Sequence, residues 1–154
     1  MQALIRHYKE TTGKKEIEMS DVAAFASARG WPLPQPTSPL ELLAKEFSQA
    51  AREEIRNDGK TGKAYRANHA VTVPSGNGKQ LTFWIDIDEA PRKFMHKSLV
   101  QRREQMVGDG LQLTLDMDHW NRVNPKEEPI ELPMDLSPDI EWRKNVSGED
   151  EKAG

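Results

Sequence analysis

No cysteine occurs among the 154 residues. Disulfides, thiolate zinc sites and cysteine nucleophiles are therefore excluded, and a reducing, cytoplasmic setting is the expectation. Long apolar runs are missing too: no window approaches the roughly 20 apolar residues that span a bilayer. Residues 1–8 also lack the apolar stretch after a basic patch that marks an export signal. These absences predict a soluble protein with no membrane partner. Among the short motifs that carry chemistry, neither a Gly-x-Ser-x-Gly elbow, nor a Walker-type phosphate loop, nor a Gly-x-Gly-x-x-Gly fingerprint occurs. No cofactor is implied and no catalytic residue is assigned, so the expectation is a non-enzymatic protein.

What is present is charge, unevenly spread. Formal net charge is −3, from 22 Lys and Arg against 25 Asp and Glu. Residues 126–154 hold four of those cations and nine of the anions, a balance of −5, so residues 1–125 carry +2. A mildly basic body thus carries an acidic tail, and each can serve its own partner.

Periodicity predicts the elements of a single α+β domain over residues 1–125. Leu4, Ile5 and Tyr8 fall at helical spacing before Gly13. After a strand-like stretch at residues 16–19, Ser20 is the expected N-cap of a second helix carrying Val22, Phe25 and Ala26 and ending at Gly30. Residues 31–36 contain three prolines and read as an extended strut. Ser38-Pro39-Leu40-Glu41 combines a serine cap, a proline at the first helical position and a capping-box glutamate. The helix that follows carries Leu40, Leu43, Phe47, Ala50, Ala51 and Ile55 on one stripe and is expected to stop at residues 57–59.

Next, Ala67, His69, Val71 and Val73 alternate with polar or small residues, as do Leu81, Phe83, Ile85 and Ile87. Two strands joined through the glycine-rich residues 74–78 form a hairpin. Asp88 is the expected cap of a long basic helix with Pro91 in its first turn. From Gly108 onward Leu111, Leu113, Leu115 and Met117 alternate like a strand, whereas Val107, Leu111 and Leu115 suit a helix, and helix is the favoured reading. Residues 126–154 are broken by Pro129, Pro133 and Pro138. They are expected to form an extended acidic tail lying along the body or along a protein partner.

The order of three helices followed by a glycine-tipped hairpin, over residues 2–88, resembles that of winged helix-turn-helix domains. The resemblance implies a winged-helix-like three-helix core, a third helix laid against nucleic acid, and a hairpin acting as the wing. Transferred by position, the implied contact residues are Lys45, Gln49, Arg52 and Arg56 on the third helix, with Lys60, Lys63, Arg66 and Lys79 around the hairpin. Long cations and amides supply the donors that phosphates and base edges accept. Residues 38–57 also hold Glu41, Glu46, Glu53 and Glu54, a balance of −1, so an ordinary helix with a solvated face accounts for the same residues. The resulting expectation is a bacterial-type DNA- or RNA-binding protein, for which a regulatory role and a homodimer through the long fourth helix are both allowed.

Other constellations stand beside this one. Arg92, Lys93, His96, Lys97, Arg102 and Arg103 give the fourth helix a second basic face, which the acidic tail can satisfy. Asp86 and Asp88 lie on one strand face where a magnesium ion could be held, with Asp116, Asp118 and His119 as further ligands, the arrangement of a metal-dependent nuclease or phosphotransferase. Asp88 as a helix cap and Asp86 as a polar strand-end residue explain the pair without metal. His69 reads as a hydrogen-bonded core histidine. Trp84 shares the polar strand face with Thr82 and Asp86, as a binding patch or as a ring covered by a later helix. An adaptor that docks a protein partner through residues 126–154 is the alternative function.

Overall fold

The computed structural model describes residues 1–36, 38–76, 78 and 80–146; Lys79, assigned above to the hairpin, lies outside them. The described residues form a mixed α+β arrangement of five helices and two small antiparallel hairpins, α1–α2–α3–β1–β2–β3–β4–α4–α5. None of the described helices is long and apolar enough to cross a membrane. Two compact units divide the chain, Met1–Leu43 and Ala44–Gly154.

In the first unit α1 (Gln2–Thr12) ends on Gly13, whose φ of 68° lets its N–H reach the Lys9 carbonyl. Helix α2 spans Met19–Ala28. Tyr8, Val22 and Ala26 are buried between the two helices, and the Tyr8 ring meets Phe25 edge-on with centroids 5.2 Å apart. The expected strand at residues 16–19 does not form, and Ser20 is not the cap. Glu18 holds the extended N-cap position of α2, and the Ser20 hydroxyl donates to its carboxylate at 3.3 Å instead of capping a helical N–H.

Helix α3 (Pro39–Glu53) begins with the capping box the sequence encodes. The Ser38 N–H donates to Glu41 Oε2 at 3.1 Å and the Glu41 N–H to Ser38 Oγ at 3.2 Å. Its apolar stripe is exposed, Leu40 at 76% and Phe47 at 68%. The helix stops at Glu53 rather than running on through Ile55, because Ile55–Asn57 is strand β1, paired antiparallel with β2 (Ala64–Arg66). Asp58 shapes the turn between them: its carboxylate accepts the Lys60 and Thr61 N–H groups, both at 2.8 Å, and these donors hold its pKa below the usual carboxylate range. Three-residue strands are too short for alternation to reveal, so the sequence gives no sign of this hairpin.

Ala67 links the two hairpins and is fully buried. Its N–H donates to the Glu54 carbonyl at 3.0 Å, and its carbonyl accepts the Ile87 N–H at 2.8 Å. Strands β3 (Asn68–Pro74) and β4 (Gln80–Asp86) then pair from Asn68↔Asp86 to Pro74↔Gln80, the expected hairpin. Val71 and His69 are buried on one face.

Helix α4 runs uninterrupted over Arg92–Val123, about 48 Å at 1.5 Å per residue, and includes the stretch that could have been read as a strand. Pro91 occupies its N-cap position, so Asp88 is not the cap. The helix covers the outer edge of β3 with side chains that stand in for a neighbouring strand. Gln101 accepts the Thr72 N–H at 3.1 Å and donates to the Thr72 carbonyl at 2.8 Å, while the Ser98 hydroxyl donates to the Ala70 carbonyl at 2.7 Å. Gln101→Ala strands both Thr72 groups, and an equilibrium urea titration should register a loss of about 1–3 kcal/mol. An unchanged midpoint would show that water replaces the amide at no cost.

Beyond α4 the chain turns at residues 125–127, where the Glu127 N–H donates to the Asn124 carbonyl at 3.1 Å, then runs without helix or strand to residue 136 and folds back along its own helix. Asn121 clamps the Ile130 backbone through two hydrogen bonds of 2.9 and 2.8 Å, and Met134 Cε lies 3.2 Å from where a side chain at Gly110 would begin. The expectation of an extended chain fails from Ser137, where α5 (Ser137–Val146) forms. Pro138 sits in its first turn, where its missing N–H costs nothing, and Asp135 accepts the Ser137 N–H at 3.0 Å.

Candidate functional site

The polar face of the second hairpin forms the floor of a groove in the second unit. Cross-strand pairing puts Thr72 opposite Thr82 and Ala70 opposite Trp84 on this face, and the two threonine hydroxyls are 3.1 Å apart. One wall is α4, which presents Ser98, Gln101, Arg102 and Gln105. Those positions recur at helical spacing, so a single face of the helix supplies all four. Arg52 from α3 and Arg66 from β2 complete the lining of a cavity of about 330 Å³.

Electrostatics make this groove distinctive. Arginines from three different elements line it, and among the described residues no carboxylate does. Among the described residues Arg52, Arg66 and Arg102 pair with no acidic side chain. Arg52 instead lies over Trp84, its guanidinium carbon 5.3 Å from the ring centroid. His69, also in the lining, reports the field: burial first, then the Arg102 and Arg66 charges, push its pKa below the ordinary value near 6.5.

That shift fixes a pH dependence. A histidine disfavoured as a cation in the folded state leaves the unfolded chain binding the extra proton, so stability is full above pH 6.5 and declines as pH falls below it. The acidic groups with depressed pKa values lose their contribution only at lower pH, through the carboxylate range. Denaturation midpoints should therefore fall between about pH 6.5 and 5.5 in the native protein and change less in His69→Gln. Equal slopes in the two proteins would remove His69 from this account.

The residues singled out in the sequence separate into groups. Arg52 and Arg66 meet in the groove. Lys45 shares a shallow surface depression on α3 with Ala44, Ser48 and Arg52. Gln49 donates to Glu53 at 2.8 Å. Arg56 is engaged by acids: its guanidinium lies 2.7 Å from Asp86, 2.9 Å from Glu54 and 3.3 Å from Asp88. The hydrogen bonds that Arg56 donates to Asp86 and then to Glu54 raise its pKa, and the Asp88 N–H and then Arg56 lower that of Asp86. Lys60 and Lys63 belong to the β1–β2 turn, where Lys63 shares a second depression with Asp58, Tyr65 and Asp88.

Arg102, Gln101 and Gln105 were absent from the positions transferred by resemblance, although Arg102 belongs to the basic face read on the fourth helix. Their signal is the polar stripe Ser98-Gln101-Arg102-Gln105 at helical spacing. For the metal reading, the geometry puts a guanidinium between Asp86 and Asp88. Gln112 donates to Asp116 at 2.8 Å, and His119 Nδ1 lies 3.1 Å from Arg122. Among the described residues no group of three or more His, Asp or Glu side chains is placed to hold a metal ion. Compared with known proteins, the chain matches no family model, no curated protein and no solved structure.

Proposed function

We propose that this chain is a non-enzymatic nucleic-acid-binding protein whose contact surface is the groove between the β3–β4 hairpin and α4. The observation that carries the reading is the convergence of Arg52, Arg66 and Arg102 on one cavity where, among the described residues, they pair with no acid and no carboxylate lines the wall. Phosphodiesters are the polyanions that such forked donors recognise, and guanidinium groups bind them in bidentate fashion. Trp84 and the amides of Gln101 and Gln105 add a ring face and neutral donors beside the charges. Contact in this groove reads chain geometry more than sequence, because phosphate contacts position a ligand and base edges specify it.

On this reading the winged-helix-like order of elements has a role: the C-terminal turn of α3 and the second hairpin flank one ligand. The contact set is then Arg52, Arg66 and Arg102, with Lys45 further along α3, while Arg56 fastens the junction of the two hairpins. Polarisation titrations with labelled single-stranded and duplex oligonucleotides test it. Three phosphate contacts predict that affinity falls roughly 20- to 40-fold between 50 and 200 mM salt. Absence of salt-dependent binding to either form would end the proposal.

A further inference from the structure

The groove between the β3–β4 hairpin and α4 sets small residues beside a large ring. Strand register puts Ala70 next to Trp84 on the floor, and Ser98, whose hydroxyl donates to the Ala70 carbonyl at 2.7 Å, adds little bulk to the wall. All three line the cavity of about 330 Å³, and the indole is only half-buried. Arg52 does not close the ring off. Its guanidinium carbon stands 5.3 Å from the Trp84 centroid, whereas Arg29 packs at 3.4 Å on Phe25 in the first unit.

The two amides of the α4 wall differ. Gln101 spends its oxygen and its nitrogen on the Thr72 backbone, at 3.1 and 2.8 Å, while the exposed Gln105 side chain has no partner among the described residues. A free amide, donor and acceptor together, matches the edge of a nucleobase.

Shape narrows the ligand further. A volume of about 330 Å³ lies at the low end of small-ligand pockets, room for one base and far too little for a duplex. Proteins that read a duplex use the opposite shape, a helix or ribbon protruding into its major groove. Here the arginines stand around a hollow. Phosphate contacts alone make no use of an indole at its floor, and bases stacked within a duplex offer no free face to one.

We infer that the groove takes single-stranded nucleic acid, with one unstacked base on the Trp84 indole beside Ala70, its edge met by Gln105, and the adjoining phosphates on Arg52, Arg66 and Arg102. The inference rests on the nucleic-acid reading above and adds the form of the ligand. Base and phosphate are covalently joined, and Arg52 next to Trp84 supplies a donor and a ring to the two parts of one nucleotide.

Three labelled probes test this on the native protein at one salt concentration: oligothymidylate, the same strand annealed to its complement, and the same sugar–phosphate strand with abasic sites. Bulk charge favours the duplex, which releases more counterions per phosphate contact. The groove should reverse that order. It should also hold oligothymidylate about 5- to 150-fold more tightly than the abasic strand, the range for one base stacked on an aromatic ring. Trp84→Leu should lose the same factor on oligothymidylate and nothing on the abasic strand, and Trp84→Phe should keep most of it. Equal affinity for intact and abasic strands, or preference for the duplex, would overturn the inference and leave the groove as a phosphate site. Failure of all three probes to bind would remove both readings.

Discussion

Replacing Arg52, Arg66 and Arg102 together by glutamine should weaken oligonucleotide binding by about 100-fold or more at low salt, since a charge-assisted hydrogen bond is worth roughly 1.5–3 kcal/mol and the three share one ligand. All three side chains are exposed at the groove and, among the described residues, pair with no acid, so their removal leaves no buried partner stranded. The fold should persist, and circular dichroism with an unchanged thermal midpoint is the control. The salt dependence of whatever binding remains should also flatten, because fewer counterions are released. The comparison protein is Lys60→Gln with Lys63→Gln in the β1–β2 turn, which removes nearly as much charge but should change affinity only a few-fold. Equal losses in the two proteins would mean that net charge, rather than the groove, drives association.

Ala67→Leu should be the most damaging single substitution in the hairpin region. Ala67 is fully buried and bonded through both backbone groups to residues flanking the two hairpins. Three added carbons have no space there, and overpacking of this kind costs about 1–3 kcal/mol or displaces the backbone. The displacement would separate β2 from β3 and move Arg66 relative to Arg102, so stability and binding should fall together. Ala67→Ser adds one atom and a donor and should cost less. A leucine variant with native melting and native affinity would show that the two hairpins are not held through this residue.

The elements were legible in the sequence where a local rule fixes them. Ser38 and Glu41 lie three residues apart and bond reciprocally, and the alternation of β3 with β4 reappears in their register. Local rules failed where the deciding partner is distant. Asp88 looked like a helix cap because Pro91 follows it, yet its carboxylate meets Arg56, 32 residues away, and the Tyr65 hydroxyl. Arg56 in turn looked like a phosphate ligand on a helix, when the helix ends before it and three carboxylates surround it.

The groove itself lies between these cases. Arg52 and Arg66 were identifiable as cations near the hairpin, but Arg102 joins them only because Ser98 and Gln101 tie α4 to the edge of β3. A polar helical stripe predicts a polar face and cannot say what that face covers. Net charge misled in the same way. The balance of −1 over residues 38–57 averages acids that pair with Arg56 and Gln49 together with an arginine that pairs with none. The sign of a surface is set by which charges are left over after pairing, not by their sum along the chain.

Chemical-shift mapping of the isotopically labelled protein during an oligonucleotide titration tests the central claim most directly. The account predicts that the Trp84 indole N–H, the side-chain amides of Gln101 and Gln105, and the arginine Nε–H groups of residues 52, 66 and 102 shift together and saturate at one ligand concentration. Shifts confined to the β1–β2 turn or to the acidic segment after α4, with those groove resonances unmoved, would contradict it.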